Sequence, residues 1–558
     1  MPSTPESNPA PRAAWSMHLA AIAPAAIILA AFLIRLAGAH SRFLNADEAM
    51  HCLFSLQSSF ITTYQASLRT AHPPLLIILL HYWGMVSSTE FFLRIPSVIA
   101  GTAAGWFLYA WLRRITDSCT AVIALSLFLF SPALIYLSFE VRQYALVMAF
   151  MAATLYFLDC GFMEDSPVLM LVSILCLYLA LMTHYCTLIF ALCVGCYGLL
   201  RIASLRPRTA VASVWAAGQV GGVAMAAFFW KTHITLIRRV GMVQHVAESY
   251  LRGSLFQRGQ ESALGFVLKS NIRVFRFLFS QGAVAIVGML LFFMAVALLL
   301  RNGAGPSASS GQTLKGRLYT VTPPGERRPT PRQLGMLLLL PFVVNCGAAL
   351  AGAYPYGASR HNSYLAIVAM PAIATILANW KLPSRWMRPT AIAAALAICN
   401  FTIAPGGAYI PAKHQKKAFM HAAADWIHAS VPAHSIILAD YESGLLAGYY
   451  ICHKNVVQTA PPFQLFLPSD CGNYQSLTLL PPLWVFRADT FPDQIRELQR
   501  TLAQNREFDE DRQIWLFQAG YIVDKEPEFR TLLEQYGCNR PQEFGPNIFV
   551  CRVWVSKP

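Results

Sequence analysis

The sequence predicts a polytopic α-helical membrane protein of about eleven transmembrane helices, with juxtamembrane helices on the outer face and a small C-terminal α/β domain. Of its 558 residues, 56% are hydrophobic and only 13% are charged, whereas soluble globular chains carry about 25% charged residues. Apolar runs of about 17–20 residues, the length that crosses the hydrocarbon core, recur from residue 17 to residue 403. After about residue 405, apolar strands alternate with amphipathic helices instead.

A formal net charge of +15 is compatible with two kinds of anionic partner, nucleic acid and membrane lipid. The sequence contains no basic groove with interleaved aromatic residues of the kind that binds single strands. In polytopic proteins Lys and Arg collect in cytoplasmic loops and near anionic headgroups. We therefore expect membrane lipids, and no nucleic acid, as partners of the basic residues.

The N-terminal segment, residues 1–16, is rich in Pro, Ser and Ala, and we expect it to be disordered. The first span, Met17–Gly38, is longer than the apolar core of a cleaved signal peptide (about 7–15 residues), so we predict an uncleaved signal anchor. The further predicted spans are Arg94–Leu112, Cys119–Leu137, Tyr144–Asp159, Val168–Met182, Cys186–Ile202, Val211–Trp230, Ala283–Leu300, Leu334–Ala353, Tyr364–Ala378 and Pro389–Ile403.

The apolar run Pro73–Val86 is shorter than a typical span and decides the topology. If it does not cross and the N-terminus is cytoplasmic, most short basic loops lie inside, including the basic loop of residues 301–333. We therefore predict a juxtamembrane or re-entrant helix within an outer loop, residues 39–93. The outer loop of residues 231–281 is also basic, but its length makes it a weaker topological signal. Its amphipathic helices are expected to anchor to headgroups or to gate a lipid.

This topology brings five polar clusters from distant segments to the outer face of the domain formed by residues 17–404. They are Asp47-Glu48, His72-Pro73-Pro74, Glu140 with Arg142 and Tyr144, Thr183-His184-Tyr185, and Arg360-His361. We predict that they form a shared site. For Thr183-His184-Tyr185 taken alone, an aromatic and polar belt at the membrane interface is favoured.

The residue types in these clusters suit several chemistries. The pair Asp47-Glu48 is compatible with a general base, a divalent-cation ligand, a proton relay or a simple helix start. The cationic residues Arg142, Arg360, His72 and His361 suit phosphate oxygens. Alternatively, Glu140 and Arg142 offset each other as an ion pair, and Arg360-His361 anchors a helix at the interface.

The outer C-terminal domain, residues 411–558, carries no G-x-G-x-x-G or P-loop motif, so we assign it no nucleotide chemistry. We predict strands at 435–440, 483–486, 513–517 and 548–555, and helices at 492–504 and 526–536. Its cysteines, Cys452, Cys471, Cys538 and Cys551, can form disulfides in an oxidising compartment, and Cys538 with Cys551 is one possible pair. Cys193 and Cys196 lie inside an apolar span, and we predict packing there and no metal site.

The order of the outer motifs resembles the GT-C glycosyltransferases, which include protein O-mannosyltransferases, lipid A aminoarabinose transferases and bacterial Rgt-type lipopolysaccharide sugar transferases. The resemblance covers residues 18–380. It rests on Asp47-Glu48 after the first span, His72-Pro73-Pro74, Glu90 with Arg94-Ile-Pro96, Glu140-Val-Arg142-Gln-Tyr144, and Tyr354-Pro-Tyr-Gly-Ala-Ser-Arg360-His361. It implies an inverting enzyme of the bacterial cytoplasmic (inner) membrane. Such an enzyme moves a sugar from a polyprenyl-phosphate donor to a lipid, glycan or protein acceptor on the periplasmic side.

The resemblance also implies roles for single residues. Asp47 is the general base that deprotonates the acceptor, and Glu48 positions Asp47 or the sugar. The donor sugar and its phosphate are bound by His72, Glu140, Arg142, Tyr144, Arg360 and His361. Some relatives have Lys where His72 stands, and His is only partly charged near neutral pH.

The resemblance implies no cofactor, because protein cations can stabilise the leaving phosphate, although a divalent cation is possible. Two other classes stay open: an O-antigen-type ligase or polymerase that uses diphosphate-linked glycans, and a lipid or sugar transporter. The sequence contains no internal repeat of the kind that many transporters have.

Overall fold

The structure is a computed structural model. It describes residues 11–239, 251–301, 327–379, 415–454, 457–458, 465–481, 484–504, 513–520 and 527–554. Within these residues, eight helical segments are long and apolar enough to cross a membrane. They are Ile22–Ser41, Glu90–Ile115, Gln143–Met163, Cys186–Leu205, Thr209–Arg239, Gly282–Arg301, Pro331–Leu350 and Arg360–Asn379. The chain is a multi-span membrane protein.

The helices of the first part of the chain are labelled here in order. They are α1 (Pro11–Ser41), α2 (Ala46–Ser55), α3 (Phe60–Ser67), α4 (Leu75–Gly84), α5 (Glu90–Ile115), α6 (Ser118–Leu129), α7 (Pro132–Leu137), α8 (Gln143–Met163), α9 (Pro167–Leu181), α10 (Cys186–Leu205), α11 (Thr209–Arg239), α12 (Ala263–Phe279), α13 (Gly282–Arg301), α14 (Pro331–Leu350) and α15 (Ala366–Asn379). Helix α8 packs between α5 and α9, and α15 packs against α6 and α13. One large apolar core joins them.

The predicted number of eleven spans is not confirmed. Two predicted spans contain only short apolar helices, α6 and α9. The predicted span Cys119–Leu137 breaks because Pro132 begins a new helix, α7, where its missing N–H costs nothing. The predicted span Pro389–Ile403 lies outside the described residues.

The first helix starts earlier than predicted. Helix α1 begins at Pro11, so residues 11–16, which we expected to be disordered, are helical. Proline is well tolerated in the first turn of a helix, where its lack of an N–H removes no hydrogen bond. Residues 1–10 lie outside the described part of the chain.

The apolar run after His72 forms a short helix, α4, of ten residues. At 1.5 Å per residue it is about 15 Å long, half of the hydrocarbon thickness. It packs against α2 and α3, and the Leu75 N–H donates to the carbonyl of Met182 (3.0 Å). This agrees with the predicted juxtamembrane helix.

Residues from the predicted cytoplasmic loops meet at one end of the helices. Arg114 pairs with Glu164 (2.5 Å), and Arg327 pairs with Asp165 (2.9 Å). Arg114 is in the last turn of α5, whose first residue is Glu90. Because α5 has 26 residues, it extends about 39 Å, and the two ends of the bundle are well separated.

The predicted outer loop, residues 231–281, is helical at both ends. Helix α11 continues to Arg239 through one π-helical turn, Trp230–Ile234. Helix α12 is amphipathic: Phe266 and Phe275 are buried, whereas Lys269 and Arg276 are exposed. This surface agrees with the predicted amphipathic helices, and residues 240–250 lie outside the description.

The C-terminal domain is a seven-stranded mixed sheet with the order β2-β3-β4-β1-β5-β7-β6. Its strands are β1 (Ile436–Ala439), β2 (Val457–Gln458), β3 (Phe466–Cys471), β4 (Tyr474–Leu479), β5 (Ile514–Ala519), β6 (Gln542–Gly545) and β7 (Ile548–Val553). Its helices are α16 (Lys417–Ser430), α17 (Tyr441–Tyr450), α18 (Phe491–Gln504) and α19 (Pro527–Glu534). The central strand β1 is parallel to both β4 and β5.

Most predicted elements of this domain are confirmed, but the predicted strand at 483–486 is wrong. Residues 484–486 of that run are not in a strand. The antiparallel hairpin β3–β4, which the sequence analysis missed, provides that side of the sheet instead. The suggested disulfide Cys538–Cys551 is present, and a second one joins Cys452 to Cys471.

Candidate active site

Helix α2 begins with a capping box that separates the two predicted carboxylates. The Asn45 side chain accepts a hydrogen bond from the Glu48 N–H (3.0 Å), and the Glu48 carboxylate accepts one from the Asn45 N–H (2.9 Å). This reciprocal arrangement satisfies two backbone donors that the first helical turn leaves free. Glu48 therefore folds back onto the helix start, while the side chain of Asp47 stays 29% exposed.

Glu48 is fully engaged by the protein. Its buried carboxylate accepts hydrogen bonds from Nε and Nη2 of Arg94, both at 2.8 Å, and from the Val141 N–H at 2.8 Å. Arg94 also donates to the Phe43 carbonyl (2.8 Å). Such a two-point pair of planar groups fixes position as well as charge. Glu48 thus holds the loop before α2 against α5. Because its carboxylate oxygens already accept these hydrogen bonds from the protein, Glu48 is not available to bind a sugar.

Asp47 bridges two arginines from distant parts of the chain. Its carboxylate forms ion pairs with Arg142, directly before α8, and with Arg360, which lies 2.8 Å away and begins the 3₁₀ helix Arg360–Leu365 that leads into α15. Burial alone would raise the pKa of Asp47, but the charges of Arg142 and Arg360 hold this pKa well below its usual value. The carboxylate is therefore ionised at neutral pH.

The two guanidinium groups share one aromatic neighbour. The guanidinium carbon of Arg142 lies 5.5 Å from the centre of the Tyr144 ring, and that of Arg360 lies 6.0 Å from the same ring. Arg142 is buried, whereas the Arg360 side chain is 28% exposed. Two guanidinium groups thus face the Asp47 carboxylate, and their planar donors are suited to bind phosphate oxygens.

Glu140 does not pair with Arg142, so the predicted alternative of an ion pair between these two residues is wrong. One carboxylate oxygen of Glu140 accepts from the Asn45 amide (3.0 Å). Its other oxygen is buried and has no hydrogen-bond partner within the described residues. Burial and the negative charge of Glu48 raise the pKa of Glu140 to about 7. Glu140 is therefore a mixture of acid and carboxylate near neutral pH.

Four histidines form a cluster beside Arg142 and Tyr144. The His72 ring centre lies 5.0 Å from that of His184, 6.2 Å from that of His361 and 6.5 Å from that of His51. Burial lowers the pKa of His51 to about 4 and that of His184 to about 3, and it lowers the pKa of His72 well below its usual value. These three imidazoles are neutral at pH 7.

The hydrogen bonds of this cluster fix two tautomers. His51 Nδ1 lies 2.6 Å from the Asp47 carbonyl and must donate to it, so its Nε2 is a bare acceptor. His184 Nδ1 accepts from the Cys186 N–H (3.1 Å), so its Nε2 carries the proton. Both Nε2 atoms, and that of His361, are buried without a hydrogen-bond partner in the described part of the chain. The cluster therefore contains unused donors and acceptors.

The structure brings all the predicted site residues together, and it adds residues to which the sequence analysis assigned no role in catalysis or donor binding. His184, expected in an interfacial belt, is instead buried against His72, so that prediction is wrong for this residue. Arg94, Asn45 and His51 complete the arrangement. An arginine at the start of an apolar span was the available signal for Arg94, whereas Asn45 and His51 gave none.

No metal ligand set is present among the residues that the structure describes. In this part of the chain, no group of three or more His, Cys, Asp and Glu side chains can hold a metal ion. The histidine rings lie close together, but two of their Nδ1 atoms are engaged by backbone groups. The expectation that no metal is needed stays a prediction.

The family comparison points to the same part of the chain. Residues 71–230 match the family of dolichyl-phosphate-mannose-protein mannosyltransferases. This match confirms the predicted resemblance over these residues, which contain His72, Glu140, Arg142, Tyr144 and His184. Among curated proteins, none matches this sequence.

Two kinds of solved structure are similar to the chain. The oligosaccharyltransferase of Archaeoglobus fulgidus, tethered with an acceptor peptide, has a TM-score of 0.43 and 13% identity, over 77% of this chain and 63% of that one. The chain therefore spans less than two thirds of that enzyme. ArnT from Cupriavidus metallidurans, in the apo state, has a TM-score of 0.42 and 10% identity, over 96% of this chain and 98% of that one. A structure of ArnT bound to undecaprenyl phosphate has a TM-score of 0.39 and 12% identity.

Proposed function

We propose that this protein is a membrane glycosyltransferase that moves a sugar from a polyprenyl-phosphate donor to a lipid, glycan or protein acceptor, with inversion at the anomeric carbon. One observation carries the proposal: Arg142 and Arg360, from distant segments, converge on the carboxylate of Asp47. The family match over residues 71–230 supports the same reaction class. Polyprenyl phosphate and an acceptor are then its partners.

The arginines suit the leaving group of this reaction. When the bond between the anomeric carbon and the phosphate oxygen breaks, the carrier phosphate gains negative charge. Prepositioned guanidinium groups stabilise that charge strongly in a water-poor site. Arg142 is buried and Arg360 lies at the edge, so together they can hold a phosphate on two sides. Tyr144 and the neighbouring His72 and His361 then line the donor sugar.

Asp47 is proposed as the general base. It takes the proton of the acceptor hydroxyl or amine as the acceptor atom bonds to the anomeric carbon, and the phosphate leaves with the electrons of the broken bond. Its two ion pairs with Arg142 and Arg360 make it a weak base. A donor phosphate competes for both arginines, so donor binding raises the basicity of Asp47. The base is thereby activated only when the sugar is in place.

The positions of the charged loops support an orientation. Asp47 and its partners are at one end of the bundle, and the basic residues Arg114 and Arg327 are at the other. By the positive-inside rule the basic end faces the cytoplasm. We therefore propose that the site and the C-terminal domain face the exterior of a bacterial cytoplasmic membrane. A reporter fused after Arg208 is then expected in the cytoplasm, and an external signal there would overturn this orientation.

Mass spectrometry of lipid-linked sugars tests the function. Membranes with the wild-type protein, without it, and with Asp47→Asn are compared at equal protein level. We expect one polyprenyl-phosphate sugar to accumulate in the last two. Accumulation of a diphosphate-linked glycan instead would assign the protein to the ligases or polymerases. No change in any such lipid would remove the main support for the proposal.

A further inference from the structure

The C-terminal domain touches the backbone directly before the proposed base. The Phe43 N–H donates to the Gln415 carbonyl (3.1 Å), and the Leu44 N–H donates to the hydroxyl of Tyr450 (2.8 Å). Phe43 and Leu44 immediately precede the capping residue Asn45. The backbone that leads into α2 is therefore held by residues from outside the membrane domain.

The Tyr450 hydroxyl connects three segments. Tyr450 is the last residue of α17. Its hydroxyl accepts a hydrogen bond from the Leu44 N–H and donates one to the buried carboxylate of Glu90, the first residue of α5. Glu90 is also paired with Lys417 Nζ (2.8 Å) from α16. Burial and the negative charge of Glu90 raise the pKa of Tyr450 well above its usual value, so the hydroxyl keeps its proton and the bond to Glu90.

Apolar packing continues the same junction. Helix α2 packs against α17. One hydrophobic cluster contains Leu44 from the segment before α2, Ala49 from α2, and Ala423 and Leu446 from the C-terminal domain, all almost completely buried. Since this core belongs to both parts at once, a shift of α17 cannot leave α2 in place.

We infer that Tyr450 is a positioning residue that fixes the start of α2, and with it Asp47, through the hydrogen bond to Leu44 and the bond to Glu90. The C-terminal domain is then part of the active-site scaffold. This kinetic role rests on the proposed function. The restraint on the loop itself is a separate physical claim that can be measured without any substrate.

The neighbouring residue provides a matched control. The Tyr449 hydroxyl donates to the Ser88 carbonyl (2.7 Å), in the turn before α5. Tyr449→Phe and Tyr450→Phe remove the same atom from adjacent residues of the same helix. Only Tyr450→Phe removes the acceptor of the Leu44 N–H, in the segment before Asp47. A general weakening of domain docking would affect both variants alike.

The experiment compares both variants with the wild-type full-length protein in lipid nanodiscs. Hydrogen–deuterium exchange of peptides covering residues 42–52 reports the restraint, and steady-state kinetics report its consequence. For Tyr450→Phe we expect exchange of this segment to rise about tenfold, kcat to fall about tenfold and the donor KM to change less than about twofold, since a misplaced base impairs chemistry more than binding. Tyr449→Phe is expected to match the wild type in all three.

Equal exchange and equal kcat in both variants would overturn the inference. If the wild type transfers no sugar, the proposed function fails, and the exchange comparison still decides the restraint on the loop. If Tyr450→Phe yields no folded protein, Glu90→Met replaces it, because this side chain offers no oxygen to accept from the Tyr450 hydroxyl. Unchanged exchange of residues 42–52 in a folded Glu90→Met variant would then contradict the inference.

Discussion

The guanidinium of Arg360 lies 2.8 Å from the carboxylate of Asp47, although 313 residues separate them in the chain. Arg142 binds the same carboxylate oxygen from a third segment. The base of the proposed reaction and the cations for its leaving group therefore neutralise each other in the structure. Removing the charge of Asp47 is therefore expected to strengthen the binding of polyprenyl phosphate and to abolish sugar transfer.

The first prediction concerns Asp47→Asn. The amide keeps the shape of the side chain but no longer competes for Arg142 and Arg360, so polyprenyl phosphate should bind about tenfold more tightly, while sugar transfer is lost. Titration of the purified variant with polyprenyl phosphate, followed by native mass spectrometry, measures the affinity. Asp165→Asn, at the other end of the bundle, is the control and should bind like the wild type. Weaker binding by Asp47→Asn would contradict the proposed competition.

The second prediction concerns the pH dependence of the base. Arg360 helps to hold the pKa of Asp47 below its usual value, and only the ionised carboxylate accepts a proton. Arg360→Ala removes one of the two charges, so the pKa of Asp47 rises and the acidic limb of kcat/KM moves to higher pH. Because the pKa of Asp47 in the wild type lies well below its usual value, the wild type should show no such limb between pH 4 and 8, and the readout is whether one enters this range in the variant. A variant whose kcat/KM stays level across this range argues against Asp47 as the titrating group.

The third prediction concerns Glu140, whose pKa is raised to about 7. As the pH rises through 7, Glu140 loses its proton and adds a negative charge beside the phosphate site. The donor KM of the wild type should therefore increase above about pH 7. Glu140→Gln keeps an oxygen that accepts from Asn45, and its donor KM should stay level. The same increase in the variant would show that another group is responsible.

The fourth prediction concerns the buried pair of Glu48 and Arg94. Arg94→Met leaves the Glu48 carboxylate buried without its cation, which typically costs about 3–5 kcal/mol of stability. The double variant Glu48→Gln/Arg94→Met removes that charge as well and should be more stable than Arg94→Met alone. Thermal unfolding in detergent measures both. If the double variant unfolds at the lower temperature, the penalty does not come from the unpaired charge.

The fifth prediction concerns the cysteines of the C-terminal domain. The disulfides Cys452–Cys471 and Cys538–Cys551 require an oxidising compartment. Non-reducing peptide mapping of protein from membranes should find both pairs. Free thiols at all four outer positions would contradict the proposed orientation.

Several features of the fold follow from local sequence alone. Hydropathy predicts the long membrane helices, because about 20 apolar residues are needed wherever a helix crosses. The short helix α4 follows from its length, and the strands β1, β5 and β7 follow from their apolar runs. The hairpin β3–β4 was missed because its strands carry polar residues such as Asp470 and Gln475, whereas the aromatic run at 483–486 resembles a strand without being one.

The sequence by itself determined which residue types meet at one end of the helices, but only the tertiary structure decided their roles. Asp47 and Glu48 are adjacent and chemically alike. Glu48 has a structural role because Arg94, 46 positions later, binds its carboxylate. Asp47 is the candidate base because its carboxylate lies beside Arg142 and Arg360, the proposed phosphate ligands. Likewise, His184 was predicted at the membrane interface, but in the folded chain it is buried and belongs to the site. The charge and contacts of a side chain depend on neighbours that the folded chain brings from far away, and no local pattern contains them.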